Sequence, residues 1–517
     1  MSKQRKTIAG ADRKCEMLMA KSGARLTRRE LFGLGGLAAA RVALPPSLAA
    51  VEMAVVDASS ACGPENEGSV IKTLSTYMSE ASARALPEEV EEKTKRHVLD
   101  TFAAMISGSE LPPGRSAVAF AKDYGGKEVA TVVSSKLLCG PIEAALTNAM
   151  LAHSDETDDS HPGSQSHPGC AVIPAALAVG EQFDISGSHF LRAVSLGYDV
   201  GTRFTIIVGE RYESETHRST HSIAPLFGAA AAAGCAAGFD AGQMRLLLGY
   251  TAQQCSGLTS WRRDSEHVQK AFVFGGMNAR SGVTSALLVH GGWTGVEDIL
   301  TGTDNFFQAF EPAADPAGLL EKLGERFEIM QANIKKWSVG SPIQAALDGI
   351  EILRTEHPFT PSDVQEVTVQ LATDEANIVN NREIPGICLQ HMVAVMLLDK
   401  TVTFRSTHDT ARMKDPEVLR ERAKVQLIKD DELQNLMPLR VAVVDIKLAD
   451  GKRLTKRVDN VRGTPQNPMT REEVVAKAKD LITPVMGVAG ASKLVERVMN
   501  FESVKSIREM RPLLQHT

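Results

Sequence analysis

Near its middle the chain reads Leu226-Phe227-Gly228-Ala229-Ala230-Ala231-Ala232-Ala233-Gly234-Cys235-Ala236-Ala237-Gly238. Alanine is the strongest helix former, and small side chains let neighbouring helices approach closely, so this stretch predicts the centre of a tightly packed helical domain. It belongs to an uncharged run over 222–239, but alanine and glycine are too weakly apolar for stable membrane insertion. Aromatic residues make up only 5% of the 517 residues, which fits packing by small side chains.

Helical periodicity extends on both sides of this stretch, from about residue 70 to residue 331. One helix is predicted to begin at Leu86-Pro87-Glu88, where proline and acidic residues occupy the first turn. The same periodicity predicts further helices at 141–150, 172–183, 188–203, 243–257 and 279–291.

The pattern changes after residue 335. Apolar and polar residues alternate over 363–371 and 424–428, which predicts strands, and Asp450-Gly451 predicts the turn of a hairpin. Helical periodicity returns from residue 470. We therefore predict a mainly α fold, in which a large all-helical domain over 70–331 and 466–510 carries an inserted, smaller α+β lid domain over 332–465.

The charge of the chain limits its partners. The sequence contains 57 basic and 63 acidic residues, and its first fifty residues hold ten of the basic and three of the acidic ones. The remainder therefore has a net charge near −13, which disfavours nucleic acid as a partner. An anionic ligand would need cations that converge at one place.

The first fifty residues resemble a twin-arginine export signal. Arg28-Arg29 precedes a Gly/Ala/Leu stretch, and small residues over 45–50 offer a cleavage site. This predicts a periplasmic protein, whereas a basic tail without signal function would leave it in the cytoplasm. The seven cysteines show no Cys-x-x-Cys spacing, so no disulfide framework is expected.

A dense polar cluster runs from His153 to Pro162 and continues with Ser166-His167-Pro168. Three interpretations are open. The segment could be a solvated loop whose acids cap the next helix. It could bind a metal, although no His-Glu-x-x-His spacing is present. It could also be an acid/base loop, in which carboxylates hold imidazoles in one tautomer and tune their pKa.

Other stretches carry cations suited to binding an anion. Two histidines and an arginine in Thr216-His217-Arg218-Ser219-Thr220-His221 precede the Ala-rich helix, whose free N–H groups would add to the attraction. Lys270 precedes Gly275-Gly276, but neither nucleotide-binding glycine motif is present. Lys335 lies at the junction of the two predicted domains.

The chain also carries, in order, Leu86-Pro87-x-x-Val90, Ala149-Met150-Leu151-Ala152-His153 with Asp158-Asp159 and His167-Pro168, Gly197-Tyr198-Asp199-Val200 with Arg203, Phe227-Gly228-Ala229-Ala230, Lys270 with Gly275, Lys335-x-Trp337, and Leu397-Leu398-Asp399. This series resembles the MmgE/PrpD family, which includes 2-methylcitrate dehydratase, cis-aconitate decarboxylase and iminodisuccinate epimerase. The resemblance covers about 72–505. It implies a helical domain with a smaller α+β lid, a homodimer, and no cofactor, metal or nucleotide.

The resemblance assigns some site residues clearly and leaves others open. The family acid, hydroxyl and histidine of the polar cluster match Glu156, Ser160 and His167, and the two family lysines match Lys270 and Lys335. The family histidine ahead of Phe-Gly matches either His217 or His221. Two residues typical of the decarboxylase branch, a tyrosine and a histidine, are replaced here by His391 and Gly340, which speaks against cis-aconitate decarboxylation.

The resemblance predicts a lyase, foremost a hydro-lyase (dehydratase) acting on a small hydroxy-polycarboxylate such as 2-methylcitrate. The favoured acid/base is His167, steered by Glu156 and Asp159; the other catalytic candidates are Ser160, His217, His221 and Lys270, and the candidates for binding the substrate's carboxylates are Lys335, Arg203, Lys270 and His391. An epimerase, isomerase or decarboxylase acting on a related di- or tricarboxylate is the alternative among enzymes. A non-catalytic protein that binds organic acids is the alternative outside them.

Overall fold

A buried Ala- and Gly-rich helix lies at the centre of the fold. In the computed structural model, which describes residues 69–209 and 211–516, this helix spans Ala224–Ala236, and every one of its residues is buried. It packs against the helices Gly169–Phe183, Gly187–Val208 and Met277–His290. The run of small residues therefore forms the centre of the helical core, as the sequence predicts.

The helices of the described residues are numbered in chain order. They are α1 Ser69–Glu80, α2 Glu88–Gly108, α3 Pro112–Tyr124, α4 Pro141–Ala152, α5 Gly169–Phe183, α6 Gly187–Val208, α7 Tyr212–Thr216, α8 Ala224–Ala236, α9 Ala241–Ala252, α10 Val268–Ala271, α11 Met277–His290, α12 Phe306–Phe310, α13 Ser341–Glu356, α14 Thr373–Val379, α15 Leu389–Asp399, α16 Phe404–His408, α17 Pro416–Arg422, α18 Asp431–Gln434, α19 Arg471–Met499 and α20 Arg511–Leu514. A π-helical turn, Phe272–Gly276, joins α10 to α11.

Helices α6 and α8 approach each other so closely that only glycine fits at their crossing. A Cβ atom added at Gly201 would overlap the carbonyl oxygen of Ala224 and lie 2.7 Å from the Cα atom of Gly228. The rings of Phe204 and Phe227 stack beside the crossing, with centroids 3.8 Å apart. The backbone of each helix is thus part of the packing surface of the other.

The β-structure is small, and the structure confirms a mainly α fold. A short antiparallel pair, β1 Ala130–Thr131 and β2 Leu138–Cys139, precedes α4. The larger sheet contains β3 Val364–Ala372, β4 Val425–Asp430, β5 Ala442–Leu448 and β6 Arg453–Val458, in the order β4-β3-β5-β6. Strands β3 and β4 are parallel, and the other two pairs are antiparallel.

Two large hydrophobic cores and two small clusters lie in the described residues. One large core is built mainly from helices before residue 335 and from α19 and α20. The other contains residues between Trp337 and Val461, including those of α13, α15 and the larger sheet.

The predicted domain boundaries remain a prediction, and the predicted export segment lies outside the described residues. Within the described part of the chain, no helix is long and apolar enough to cross a membrane.

The prediction of helical structure up to residue 331 is too broad. After α12 the chain forms only short 3-10 turns up to Gln331. Gly302, just before α12, and Gly324, between two of these turns, have positive φ angles of 80° and 79°. Glycine and proline interrupt the periodicity there, because neither supports a regular helix interior.

We expect the variant Gly201→Ala to lower the free energy of unfolding by about 2 kcal/mol or more, because the added methyl group forces α6 and α8 apart. Urea unfolding followed by circular dichroism measures the change. Gly242→Ala, in α9, is the matched control, since the added Cβ meets only the movable side chains of Asp240 and Arg245. Its effect should stay within about 1 kcal/mol. Equal stability of wild type and Gly201→Ala would contradict the close approach.

Candidate active site

The polar loop between α4 and α5 is folded into the interior. His153, Asp158 and Asp159 have no exposed surface, and His167 is 8% exposed. The interpretation as a solvated loop is therefore wrong, although Asp159 does accept the N–H of Gly169 at the start of α5. Burying several titratable groups together is costly unless they pair with one another, so the pairing defines the site.

Asp158 bonds to two imidazoles at once. Its Oδ2 atom lies 2.9 Å from Nδ1 of His153, and its Oδ1 atom lies 3.0 Å from Nδ1 of His167. The ammonium of Lys335 is 3.7 Å from the same Oδ1 atom. Burial alone would raise the pKa of Asp158, but His153, His167 and Lys335 outweigh it and hold this pKa well below its usual range.

This contact fixes the tautomer of both rings. An ionised carboxylate can only accept hydrogen bonds, so both histidines donate from Nδ1, and in the neutral form of such a ring Nε2 carries no proton. Burial lowers the pKa of His167, with Lys335 adding to the effect and Asp158 opposing it. His167 is thus neutral at pH 7, with Nε2 available to accept a proton.

Asp159 faces a different part of the core. It accepts hydrogen bonds from the Tyr198 hydroxyl, from the Gly169 N–H at 3.1 Å and, at 3.2 Å, contacts Nδ1 of His97. The predicted steering of His167 by Asp159 is corrected, since Asp158 makes that contact. Neighbouring side chains of a non-helical segment point in different directions, and the sequence does not show which of the two acids turns toward His167.

Glu156 brings the two predicted lysines together. Its carboxylate forms an ion pair with Lys270, and its carbonyl oxygen accepts a hydrogen bond of 2.8 Å from Lys335. Burial would raise the pKa of Glu156, but Lys270, His267 and Lys335 outweigh it and hold this pKa well below its usual range. The Lys270 ammonium also lies 5.0 Å from the ring centroid of Phe274, a cation–π distance.

The structure places His221, rather than His217, beside this group. The His221 ring stacks on Phe274 with centroids 3.8 Å apart and lies 5.5 Å from the His167 ring. Burial lowers the pKa of His221 well below its usual value, with His167 and Lys270 adding to the effect. His217 is exposed and adopts a left-handed backbone conformation, with φ 59°.

We call His153, Glu156, Asp158, His167, His221, Lys270 and Lys335 the imidazole–carboxylate cluster. Ser160 lies at its edge, where its backbone pairs with Asn333. A cavity of about 510 Å³ adjoins the cluster, and its lining includes Ser160 and Lys335. Among the residues of the cluster, Lys335 alone is part of this lining.

Two residues predicted to bind carboxylates lie elsewhere. The Arg203 guanidinium is 1% exposed and donates to Asp199 at 3.2 Å and to carbonyl oxygens of Leu319, Glu321 and Arg326. It therefore ties α6 to the turns before residue 331. His391 is buried in α15, and burial lowers its pKa to about 4, with Arg422 and Arg412 adding to the effect.

A metal ion would find three neighbouring donors here. Ligand atoms of His153, Asp158 and Cys170 lie within 4.8 Å of one another. The Cys170 thiol instead donates to the carbonyl oxygen of His167 at 3.1 Å, and burial raises its pKa well above the usual value, with Asp158 and Asp159 adding to the effect. Both Asp158 oxygens already accept from imidazoles, so this donor chemistry favours hydrogen bonding over metal ligation.

One contact at the site was not predicted. His408, at the end of α16, reaches the polar loop, and its Nε2 atom lies 3.1 Å from Oδ2 of Asp155. Asp155 in turn accepts the N–H of Thr157 at 2.9 Å. The pKa of His408 is raised, because the contact with Asp155 outweighs the opposing effect of burial.

The arrangement defines a class: a mainly helical protein that gathers lysines, histidines and carboxylates in one buried cluster. Comparison with known families makes this specific. The MmgE/PrpD N-terminal domain matches residues 72–318, and the MmgE/PrpD C-terminal domain matches residues 337–501. The chain belongs to the MmgE/PrpD family.

Two named relatives are distant in sequence, but their alignments with this chain cover most of both proteins. The chain is 24% identical over 477 residues to cis-aconitate decarboxylase of Aspergillus terreus, an alignment that covers 86% of this chain and 96% of that protein. It is 23% identical over 468 residues to cis-aconitate decarboxylase of Homo sapiens, covering 86% and 95% of the two chains.

The contact between His408 and Asp155 predicts a pH-dependent stability. A folded-state pKa above that of the unfolded chain stabilises the protein below about pH 6.5, and this stabilisation is lost as the pH rises through the folded-state pKa. The variant His408→Gln should therefore lower the free energy of unfolding by about 1 kcal/mol at pH 6 and by less at pH 9. Urea unfolding at both pH values measures the difference.

The control is His357→Gln, because His357 is exposed at the end of α13. Its effect should stay within about 0.5 kcal/mol at both pH values, as is usual for an exposed substitution. An effect of His408→Gln that is equally large at pH 6 and pH 9 would contradict the charged contact.

Proposed function

We propose that the protein is a lyase that removes a proton from a carbon next to a carboxylate of a small polycarboxylate. The observation that carries this proposal is the shared Oδ1 atom of Asp158, which holds His167 at 3.0 Å and has Lys335 3.7 Å away. A neutral base and a fixed cation therefore lie side by side in a buried site. The distant relatives named cis-aconitate decarboxylase support a lyase.

The chemistry follows from these positions. A substrate carboxylate would compete with Glu156 for the Lys270 ammonium, and Lys335 would offset charge nearby. His167 takes the proton at Nε2, and the electron pair of the broken C–H bond spreads into the neighbouring carboxylate. In a dehydration, this pair then forms the C=C bond as the C–O bond breaks, and the departing hydroxide takes the proton from the protonated His167 to leave as water, which regenerates the neutral base.

Dehydration of a hydroxy-polycarboxylate such as 2-methylcitrate is the finer form of the proposal. It is favoured over decarboxylation because His391 and Gly340 replace residues typical of the decarboxylase branch, and because His391 is fully buried in α15. Decarboxylation is the second candidate, favoured by the names of the relatives.

Incubation with 2-methylcitrate, citrate and cis-aconitate in deuterated solvent distinguishes these reactions. Formation of an unsaturated acid from a hydroxy acid supports dehydration, and release of CO2 from cis-aconitate supports decarboxylation. Binding without proton exchange or product formation would contradict lyase activity and would indicate that the protein only binds organic acids.

We expect His167→Ala to reduce turnover by about 100-fold or more while ligand affinity changes only a few-fold, because the side chain acts mainly in proton transfer. Lys270→Ala should also weaken binding, since it removes a fixed charge opposite a carboxylate, at a cost of roughly 2–5 kcal/mol. Steady-state kinetics and calorimetry measure both effects.

The control is His217→Ala, because this histidine is exposed and lies outside the imidazole–carboxylate cluster. Its kinetics should match those of the wild type. Nearly normal turnover of His167→Ala would remove His167 from the mechanism.

A further inference from the structure

The role of His153 is not explained by proton transfer at His167. Its ring is fully buried, and Nδ1 is committed to Asp158 at 2.9 Å. Its Nε2 atom is also buried and has no hydrogen-bond partner in the described residues. An unsatisfied buried acceptor destabilises a protein, so a ligand that donates a hydrogen bond at this atom would be bound favourably.

The geometry relates this atom to the base. His153 and His167 contact the two oxygens of one carboxylate through Nδ1, and in an imidazole Nε2 lies across the ring from Nδ1. Both Nε2 atoms therefore point away from Asp158. The two ring centroids are 5.0 Å apart, which is within the span of one small polycarboxylate.

The chemistry of Nε2 determines what it can recognise. Since Nδ1 carries the proton, Nε2 of the neutral ring is a hydrogen-bond acceptor and repels a carboxylate oxygen. A substrate hydroxyl can donate to it. A substrate ammonium is disfavoured, because the Lys270 and Lys335 ammonium groups lie in the same cluster.

We infer that His153 accepts a hydrogen bond from the substrate hydroxyl and thereby selects hydroxy-polycarboxylates over polycarboxylates that lack the hydroxyl group. A molecule with a C–H bond and an O–H group on neighbouring carbons would place the first at His167 and the second at His153. The inference rests on the proposed function and deepens it, since it names the group that distinguishes the substrate class. His153 is here a specificity-determining residue.

Two ligands that differ only in this group test the inference. Citrate and tricarballylate carry the same three carboxylates, but tricarballylate has no hydroxyl. Calorimetry on the wild-type protein should show citrate binding at least tenfold more tightly, as expected for a buried acceptor left unpaired by the poorer ligand. Equal affinities would overturn the inference.

Two variants of His153 separate its two contacts. In His153→Asn the amide can still donate to Asp158 from the position of Nδ1, but the acceptor at the position of Nε2 is gone. The preference for citrate should fall to within about threefold, while tricarballylate affinity stays near that of the wild type. In His153→Gln the longer side chain can still accept a hydrogen bond near the Nε2 position, so part of the preference should remain.

The outcomes separate this inference from the proposed function. A preference for citrate that survives unchanged in His153→Asn would overturn the role of His153. Binding of neither acid would contradict both the inference and the polycarboxylate class. Discrimination without any turnover would support the inference and contradict only the lyase. Even if a variant fails to fold, the affinities of the wild-type protein for citrate and tricarballylate test the inference.

Discussion

The contact of one buried carboxylate, Asp158, with two imidazoles is the interaction on which the site depends. A carboxylate without exposed surface is costly to bury, and it is stabilised here by His153, His167 and Lys335 together. In return it orients both rings and fixes which nitrogen of each carries the proton. The base, the proposed hydroxyl acceptor and the nearest cation are thus positioned by the same two oxygen atoms.

A buried ion pair between α19 and α2 also supports the loop that carries Asp158. Lys477, in α19, lies 2.6 Å from Asp100 in α2 and donates to the carbonyl oxygen of Thr157 at 2.9 Å. Burial raises the pKa of Asp100 to about 6 although Lys477 opposes it. The segment of the chain that returns to the helical core after the larger sheet therefore helps to shape a loop more than 300 residues earlier.

Periodicity and composition in the sequence predict the regular helices and strands of the fold. The run of small residues in α8 and the alternation in β3 are local properties, and the structure places both as expected. The choice between Asp158 and Asp159, or between His217 and His221, depends on the direction of single side chains in irregular segments. The role of Arg203 is equally hard to predict, because the backbone oxygens that accept its hydrogen bonds lie more than 100 residues away.

The central claim is that Asp158 leaves Nε2 of His153 and His167 without a proton. Nitrogen NMR of protein labelled with 15N-histidine measures this directly, with His153→Asn and His167→Asn used to assign the signals. At pH 7 both rings are expected to carry their proton on Nδ1, and Asp158→Asn should abolish this preference. A proton on Nε2 of His167 in the wild-type protein would contradict the role of Asp158.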